Sequence, residues 1–213
     1  MAKAARQDLD QLKTRERILA AARELFAEQG YTAASISKIA KRADVLAGSI
    51  YWAFESKEKL FAEALTAAAE EWKRRFLPAA NDGRLSVDEV RSRLLPFASG
   101  FVEGPEFLRL LMVVATEHQA SSPEIREAAV AVRRMWRDNL ESALLADLGD
   151  YEPAAARALA QRVGRLVLQL LDGAFMSLQI EQTELTPEEL FADAADVIQR
   201  ELRFGVERLP KVR

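Results

Sequence analysis

The sequence predicts an all-α protein of about nine helices, and three observations carry that expectation. Apolar residues recur every three to four positions along most of the 213-residue chain, and no β-branched alternation lasts more than a few positions. Proline is absent until Pro78, so the first third of the chain is free of the strongest helix breaker. Hydrophobic residues make up 49% of the total, enough for a sizeable helical core.

The elements follow in order. Residues 1–13 lack apolar periodicity and are expected to form a flexible arm. A first helix spans about 14–29, with Ile18, Ala22, Leu25 and Phe26 on its inner face and Gly30 closing it. Ser35 caps a second helix at about 36–42, and Ile36, Ile39 and Ala40 face inward. Ala43-Asp44-Val45 makes a turn into a third helix at about 46–52, and Phe54 follows as an aromatic plug. Ser56 opens a long helix expected to reach about 79, near Pro78 and Asn81-Asp82-Gly83. Ser86-Val87-Asp88-Glu89 reads as a capping box for a helix to about 101. Gly104-Pro105 starts another, to about 119. Ser122-Pro123-Glu124 begins a helix that stops by Gly149, and Pro153 opens one to about 181. Thr186-Pro187-Glu188-Glu189 combines a capping box with proline at the first helical position, for a last helix to about 204.

Composition excludes several kinds of chemistry. Without cysteine there is no disulfide, thiolate metal site or cysteine nucleophile. A single histidine, His118, rules out a multi-histidine metal centre. Acid–base catalysis needs convergent titratable groups, and no such cluster is visible. No enzyme, cofactor or metal is therefore expected. No apolar run of about 18 residues and no apolar leader are present, so the chain is expected in the cytoplasm without a membrane partner.

The net charge of -3 is unevenly distributed. Residues 1–60 carry 11 Lys/Arg against 8 Asp/Glu, a balance of +3, and residues 61–213 carry 19 against 25, a balance of -6. The basic part coincides with two short helices joined by a tight turn. That pattern is a helix-turn-helix, which presents one exposed helix to the major groove of DNA.

Residues 14–60 closely resemble the N-terminal domain of TetR-type transcriptional repressors. The resemblance rests on Thr14-Arg15-Glu16-Arg17-Ile18-Leu19, Leu25-Phe26, Gly30-Tyr31, Ser35, Ile39-Ala40, Gly48, Tyr51, Phe54 and Ser56-Lys57-Glu58. It implies a helix-turn-helix domain over 14–60 and a larger ligand-binding and dimerisation domain over 61–213. Beyond residue 60 the match is in helix number and length only.

The candidate DNA-binding residues are Ser35, Arg42, Leu46, Ala47, Gly48, Ser49, Tyr51, Trp52 and Lys57. Gly48 lets backbone approach DNA, and Ser49, Tyr51 and Trp52 carry donors that reach phosphate or base edges. Lys57 and Ser35 stand at helix starts, where exposed N–H groups favour phosphate. Arg42 serves either a phosphate or its own helix dipole. Tyr51 has a second reading as a core-edge aromatic. Leu46 and Ala47 depart from the family, which often has a small polar residue and a lysine there, and Ala53 replaces a common histidine or tyrosine. Thymine methyls and DNA shape then weigh more in recognition.

In the second region, Ala160, Gly164, Val167, Leu171, Ala174 and Leu178 advance by 4, 3, 4, 3, 4, and Phe191, Ala195, Ile198 and Leu202 by 4, 3, 4. Both are coiled-coil-like seams, suited to a dimer interface or to packing within their own domain. The resemblance implies the homodimer. Trp72, Phe76, Phe101, Phe107, Leu111, Met112, Met135, Trp136, Phe175 and Met176 could line an apolar pocket. Arg109, Glu117, His118, Gln169 and Asp172 are its candidate polar handles. The expected function is a dimeric repressor that binds a pseudo-palindromic DNA operator and is released by an apolar or amphipathic small molecule. A helical small-molecule-binding or scaffold protein with weakened operator recognition is the alternative, kept open by Leu46 and Ala47.

Overall fold

The computed structural model describes residues 2–76, 88–95, 97–120, 122–181 and 186–212. Among them are ten α-helices and no strand beyond one isolated antiparallel bridge, Tyr151 with Lys211. The helices are α1 (Ala2–Ala33), α2 (Ile36–Ala43), α3 (Ala47–Phe54), α4 (Lys57–Phe76), α5 (Val90–Leu94), α6 (Phe97–Glu103), α7 (Glu106–Thr116), α8 (Pro123–Leu145), α9 (Pro153–Ile180) and α10 (Pro187–Val206). A 3-10 turn, His118–Ala120, follows α7.

The all-α expectation holds, with three differences in detail. The helix expected over 86–101 is two, α5 and α6, and the sequence has Pro96 in that stretch, which cannot donate an N–H to continue a helix. Residues 2–13, expected as an arm, continue α1, and their Ala, Arg, Gln, Leu and Lys are good helix formers. Phe54 is the last residue of α3 rather than a plug after it. Ser86-Val87 and the expected end of α4 near Pro78 and 81–83 lie outside the described residues.

Caps set the boundaries. Gly30 breaks α1 with φ 79° and ψ 174°, a conformation essentially closed to other residues. Ser35 Oγ accepts from Lys38 N–H at 3.3 Å, and Asp44 ends α2 in the left-handed region with φ 53°. Ser56 Oγ accepts from Lys59 N–H at 3.1 Å at the start of α4. Thr186 and Glu189 form the expected reciprocal capping box.

The chain packs as two compact units. One takes Met1–Glu71 and Glu106–Val132, the other Trp72–Pro105 and Arg133–Arg213, so α4 and α8 each contribute to both. In the first unit Ile18, Leu25, Phe26, Ile39, Ile50, Phe54, Leu60 and Phe61 are buried. Phe26, Tyr31 and Phe61 form a ring cluster with centroids 4.9–5.9 Å apart. Ile36, also expected to face inward, is half-buried, as is Val45 in the turn after α2. Here α7 lies along α1 and buries Phe107, Leu108 and Leu110.

The second unit has an aliphatic layer and an aromatic one. Val90, Leu94, Leu144, Leu159, Val163, Val167, Ile198 and Leu202 belong to the first. The second gathers Trp72, Phe76, Phe101, Trp136, Phe175 and Phe191. Trp72 lies 5.3 Å from Phe76, 5.4 Å from Trp136 and 6.3 Å from Phe101 between ring centroids. Phe101 lies 5.9 Å from Phe175 and 4.6 Å from Phe191.

Candidate nucleic-acid interface

The short helix α3 has one face in the core and one in solvent. Ile50 and Phe54 are 1% exposed and anchor it. On the other side Leu46, Tyr51 and Trp52 are 81%, 53% and 74% exposed. Tyr51 is thus no core-edge aromatic. Gly48 is exposed, and nothing lies within 4 Å of where a Cβ would stand. Ala47 and Ser49 are half-buried beside them.

The approach from α2 into α3 is held by Arg17 of α1. Its guanidinium donates to the Ala43 and Asp44 carbonyls at 2.5 and 2.8 Å, satisfying the carbonyls that a helix end leaves bare. Arg42 pairs with Glu24 at 2.8 Å and Glu28 at 3.4 Å, both on α1, so it staples α2 to α1. Those hydrogen bonds raise its pKa further. Arg42 also stands in the last turn of α2, where its charge complements the helix dipole. Lys41 beside it is exposed.

Lys57 is half-buried. Its ammonium donates to the Tyr31 carbonyl at 2.5 Å and stands 4.3 Å above the Tyr31 ring. Burial lowers its pKa. An ammonium has three donors, so this bond leaves two for a phosphate.

Tyr31 is a junction that the sequence did not reveal. Its hydroxyl donates to Glu58 at 2.8 Å, and burial followed by that carboxylate pushes the phenol pKa upward. The Glu117 carboxylate, beyond the end of α7, accepts from Tyr31 N–H at 3.1 Å, Thr32 N–H at 3.0 Å and the Thr32 hydroxyl at 2.9 Å. Arg23 and Glu106 pair at 3.5 Å near the other end of α7, so both ends of that helix are tied to α1. No local sequence signal marks a contact between positions so far apart. The one trace is Gly30, whose missing Cβ would fall 2.0 Å from Glu117 Oε1.

Glu58 gives this junction a pH dependence. Backbone N–H bonding at the start of α4, then the Tyr31 hydroxyl, hold its carboxyl below the usual 4.5. A depressed carboxyl contributes stability above its unfolded pKa and loses it as pH falls through the folded value. We expect Glu58→Gln to destabilise the protein at neutral pH. The gap to wild type, followed by denaturant titration, closes as pH drops below 4.5. A gap constant with pH means the carboxylate charge contributes nothing.

Residues 18–64, which span α2, α3 and the start of α4, match the family model described as bacterial regulatory proteins, tetR family. Residues 18–64 are a TetR-family DNA-binding domain by this match. Relatives agree. The uncharacterized HTH-type transcriptional regulator YxaF of Bacillus subtilis is 26% identical over 190 residues, covering 88% of this chain and 95% of YxaF. AcrR of Shigella flexneri is 43% identical over 63 residues, 30% of this chain and 28% of AcrR, so this chain matches under a third of AcrR's length. The fold of SmeT bound to triclosan superposes with a TM-score of 0.67 at 21% identity, covering 88% of this chain and 90% of SmeT. SmeT is the repressor of a Stenotrophomonas maltophilia multidrug efflux pump. The relatives are named as regulators, not as enzymes.

The candidate ligand residues are divided between the two units. Phe107, Leu111, Met112 and His118 belong to the first, with His118 exposed in the 3-10 turn. Trp72, Phe76, Phe101, Met135, Trp136, Gln169, Asp172, Phe175 and Met176 belong to the second. Two expected polar handles are committed elsewhere. Glu117 holds the last residues of α1 beyond the Gly30 break, and Asp172 takes both arms of Arg133 at 2.8 and 2.7 Å. Gln169 is exposed, as is Met176.

The seams expected as a dimer interface lie mostly inside their own unit. Ala160, Gly164, Val167, Ala174, Phe191, Ala195, Ile198 and Leu202 are buried within their own unit, and Leu171 and Leu178 are half-buried. A side chain without exposed surface has none to give a partner. Gly164 does admit a close neighbour, since Leu140 Cβ of α8 would be 3.7 Å from an added Cβ. Spacing of 4 and 3 identifies a helix-packing face but not whose helix covers it. The outward faces carry the same spacing: Gln169, Gly173, Met176 and Ile180 on α9, and Asp193, Val197, Arg200 and Phe204 on α10, all exposed. By length and composition α9 is apolar enough to cross a membrane. Its inner face packs against α10, however, and its outer face carries Gln161, Arg162, Arg165 and Gln169, the pattern of a core helix in a helical protein.

Proposed function

We propose that this TetR-family protein is a homodimeric repressor of the cytoplasm that binds a pseudo-palindromic DNA operator and is released by an apolar or amphipathic small molecule. The observation that carries the reading is the exposed Leu46, Tyr51 and Trp52 on a helix whose other face is locked by Ile50 and Phe54. A rigid two-helix scaffold with one bare, aromatic face suits insertion into a major groove. The two outward stripes on α9 and α10 support the dimer. Ile180 is 72% exposed and Phe204 49%, large apolar surfaces that a second copy would cover. Two-fold symmetry would then set half-sites about 34–36 Å apart, or a multiple of that.

The effector region is the aromatic layer of the second unit, and the triclosan bound to SmeT supports its chemistry. Helix α4 is continuous from Lys57, beside the Tyr31 junction, to Trp72 and Phe76 in that layer. A ligand that favours one placement of α4 would alter the recognition helices, provided that it binds the DNA-free geometry more tightly. Operator DNA must then weaken the ligand by the same factor.

The test begins with selection of operators from random duplexes by the full-length protein, with sedimentation to give the oligomeric state. We expect a palindromic consensus and a dimer, and Ile180→Asp with Phe204→Asp should give monomers that bind the operator weakly. Lys57→Ala should lower affinity for all duplexes and reduce the slope of log affinity against log salt by about one. A wild-type monomer at micromolar concentration, or no enriched duplex, removes this reading.

A further inference from the structure

Exposed positions decide what a recognition helix can read, and those of α3 are unusual in what they lack. From Leu46 to Phe54 there is no Arg, Lys, Asn, Gln, Asp, Glu or His. The strong hydrogen-bonded readings of guanine, adenine and cytosine use those side chains. The largest solvent-facing surfaces are instead the Leu46 and Trp52 side chains, 81% and 74% exposed. Gly48 stands one helical turn before Trp52 and presents bare backbone, with nothing within 4 Å of an added Cβ. Base edges can therefore come close to the helix axis beside the Trp52 ring.

Only one feature of a major-groove base edge is apolar, the C5-methyl of thymine. Lys38 and Lys41 are exposed on α2, the helix that leads into this one, and the first 60 residues carry a net +3. This favours a polyanion over an apolar protein surface as the occupant, even with Asp44 and Glu55 exposed at the two ends of α3. We infer that Leu46 and Trp52 are the specificity-determining residues of this protein and that they read thymine through its methyl group. Selectivity is then for the methyl itself rather than for the hydrogen-bonding pattern of the A·T pair. This deepens the operator-binding reading and rests on it.

Deoxyuridine separates the two, because it keeps the O4 acceptor of thymine and loses only the methyl. An operator selected from random duplexes is resynthesised with deoxyuridine at each thymine in turn, and affinity for the full-length protein is measured. Covering one methyl is worth about a fourfold change in affinity. We expect one or more thymines per half-site where the exchange weakens binding about fourfold. Leu46→Ala or Trp52→Ala should bind the thymine and uracil duplexes equally at the position each residue covers. Both side chains are exposed, so neither substitution disturbs the core. Equal affinity for thymine and deoxyuridine duplexes at every position overturns the inference, as does a methyl effect that survives in both variants. Either result leaves operator binding intact. A protein that enriches no duplex overturns the operator reading and this inference with it.

Discussion

Gly30→Ala lowers the stability of the first unit by on the order of 3 kcal/mol, the larger of two effects there being backbone strain. A φ of 79° with ψ of 174° is closed to an alanine without that cost. The new methyl carbon would also stand 2.0 Å from Glu117 Oε1. The carboxylate can swing away, but Tyr31 N–H, Thr32 N–H and the Thr32 hydroxyl then lose their acceptor. Each such bond is worth about 1 kcal/mol, less where water replaces it at exposed Thr32. For a chain of this length the melting temperature should fall by about 6–12 °C. A double-mutant cycle with Glu117→Ala separates the parts. The clash and the lost bonds are shared, so the double variant should be less destabilised than the sum of the singles. Additive effects, or a Gly30→Ala protein that melts with wild type, would show that the turn has another conformation.

Trp72→Ala should cost about 4 kcal/mol, the usual range for deleting a large buried aromatic. Trp72 is 6% exposed and touches Phe76, Trp136 and Phe101, and its indole N–H donates to the Gly100 carbonyl at 3.2 Å. Gly100 confirms how tight the fit is, since an added Cβ there would be 2.9 Å from Trp72 Cζ2. The space left is apolar and walled by rings, and such cavities accept small aromatic molecules. Indole at millimolar concentration should therefore raise the melting temperature of Trp72→Ala by more than it raises that of wild type. No such difference would mean that Phe76, Phe101 and Trp136 collapse into the gap. The layer would then be more deformable than its packing implies.

Much of the fold is legible in the sequence because helix signals are local. Ser35, Ser56 and Thr186 act within three residues of themselves, and each caps the helix it was expected to cap. Leu25, Phe26, Ile39 and Ile50 show their inward faces through periodicity alone. Pro96 was an equally local signal, and giving it full weight would have divided the helix at 86–101. The solvent-facing side of α3 was also readable, since Ile50 and Phe54 fix which side is buried.

What stayed hidden depends on pairs of residues distant in the chain. Glu117 is an acid near a helix end by sequence and a bracket for Tyr31 and Thr32 in space. Arg42 looks the same in sequence whether it meets phosphate, the helix dipole, or Glu24 and Glu28. Helix α9 shows why a seam in the sequence does not say which helix covers it. It is wide enough to carry one apolar stripe against its own unit, through Val163 and Val167, and another outward through Met176 and Ile180. Periodicity gives both stripes the same signature.

The make-up of the first unit bears on how such a protein can be recombined. The sequence suggests a cut after residue 60, and a hybrid built there would join this helix-turn-helix segment to a foreign C-terminal part. That segment would then lack α7, the Glu106 partner of Arg23 and the Glu117 bracket, all supplied by residues after 105. The side of α1 on which Phe107, Leu108 and Leu110 are laid down would be bare. The heritable module is thus discontinuous: the segment up to Glu71 together with Glu106–Val132, transplanted as a pair or not at all.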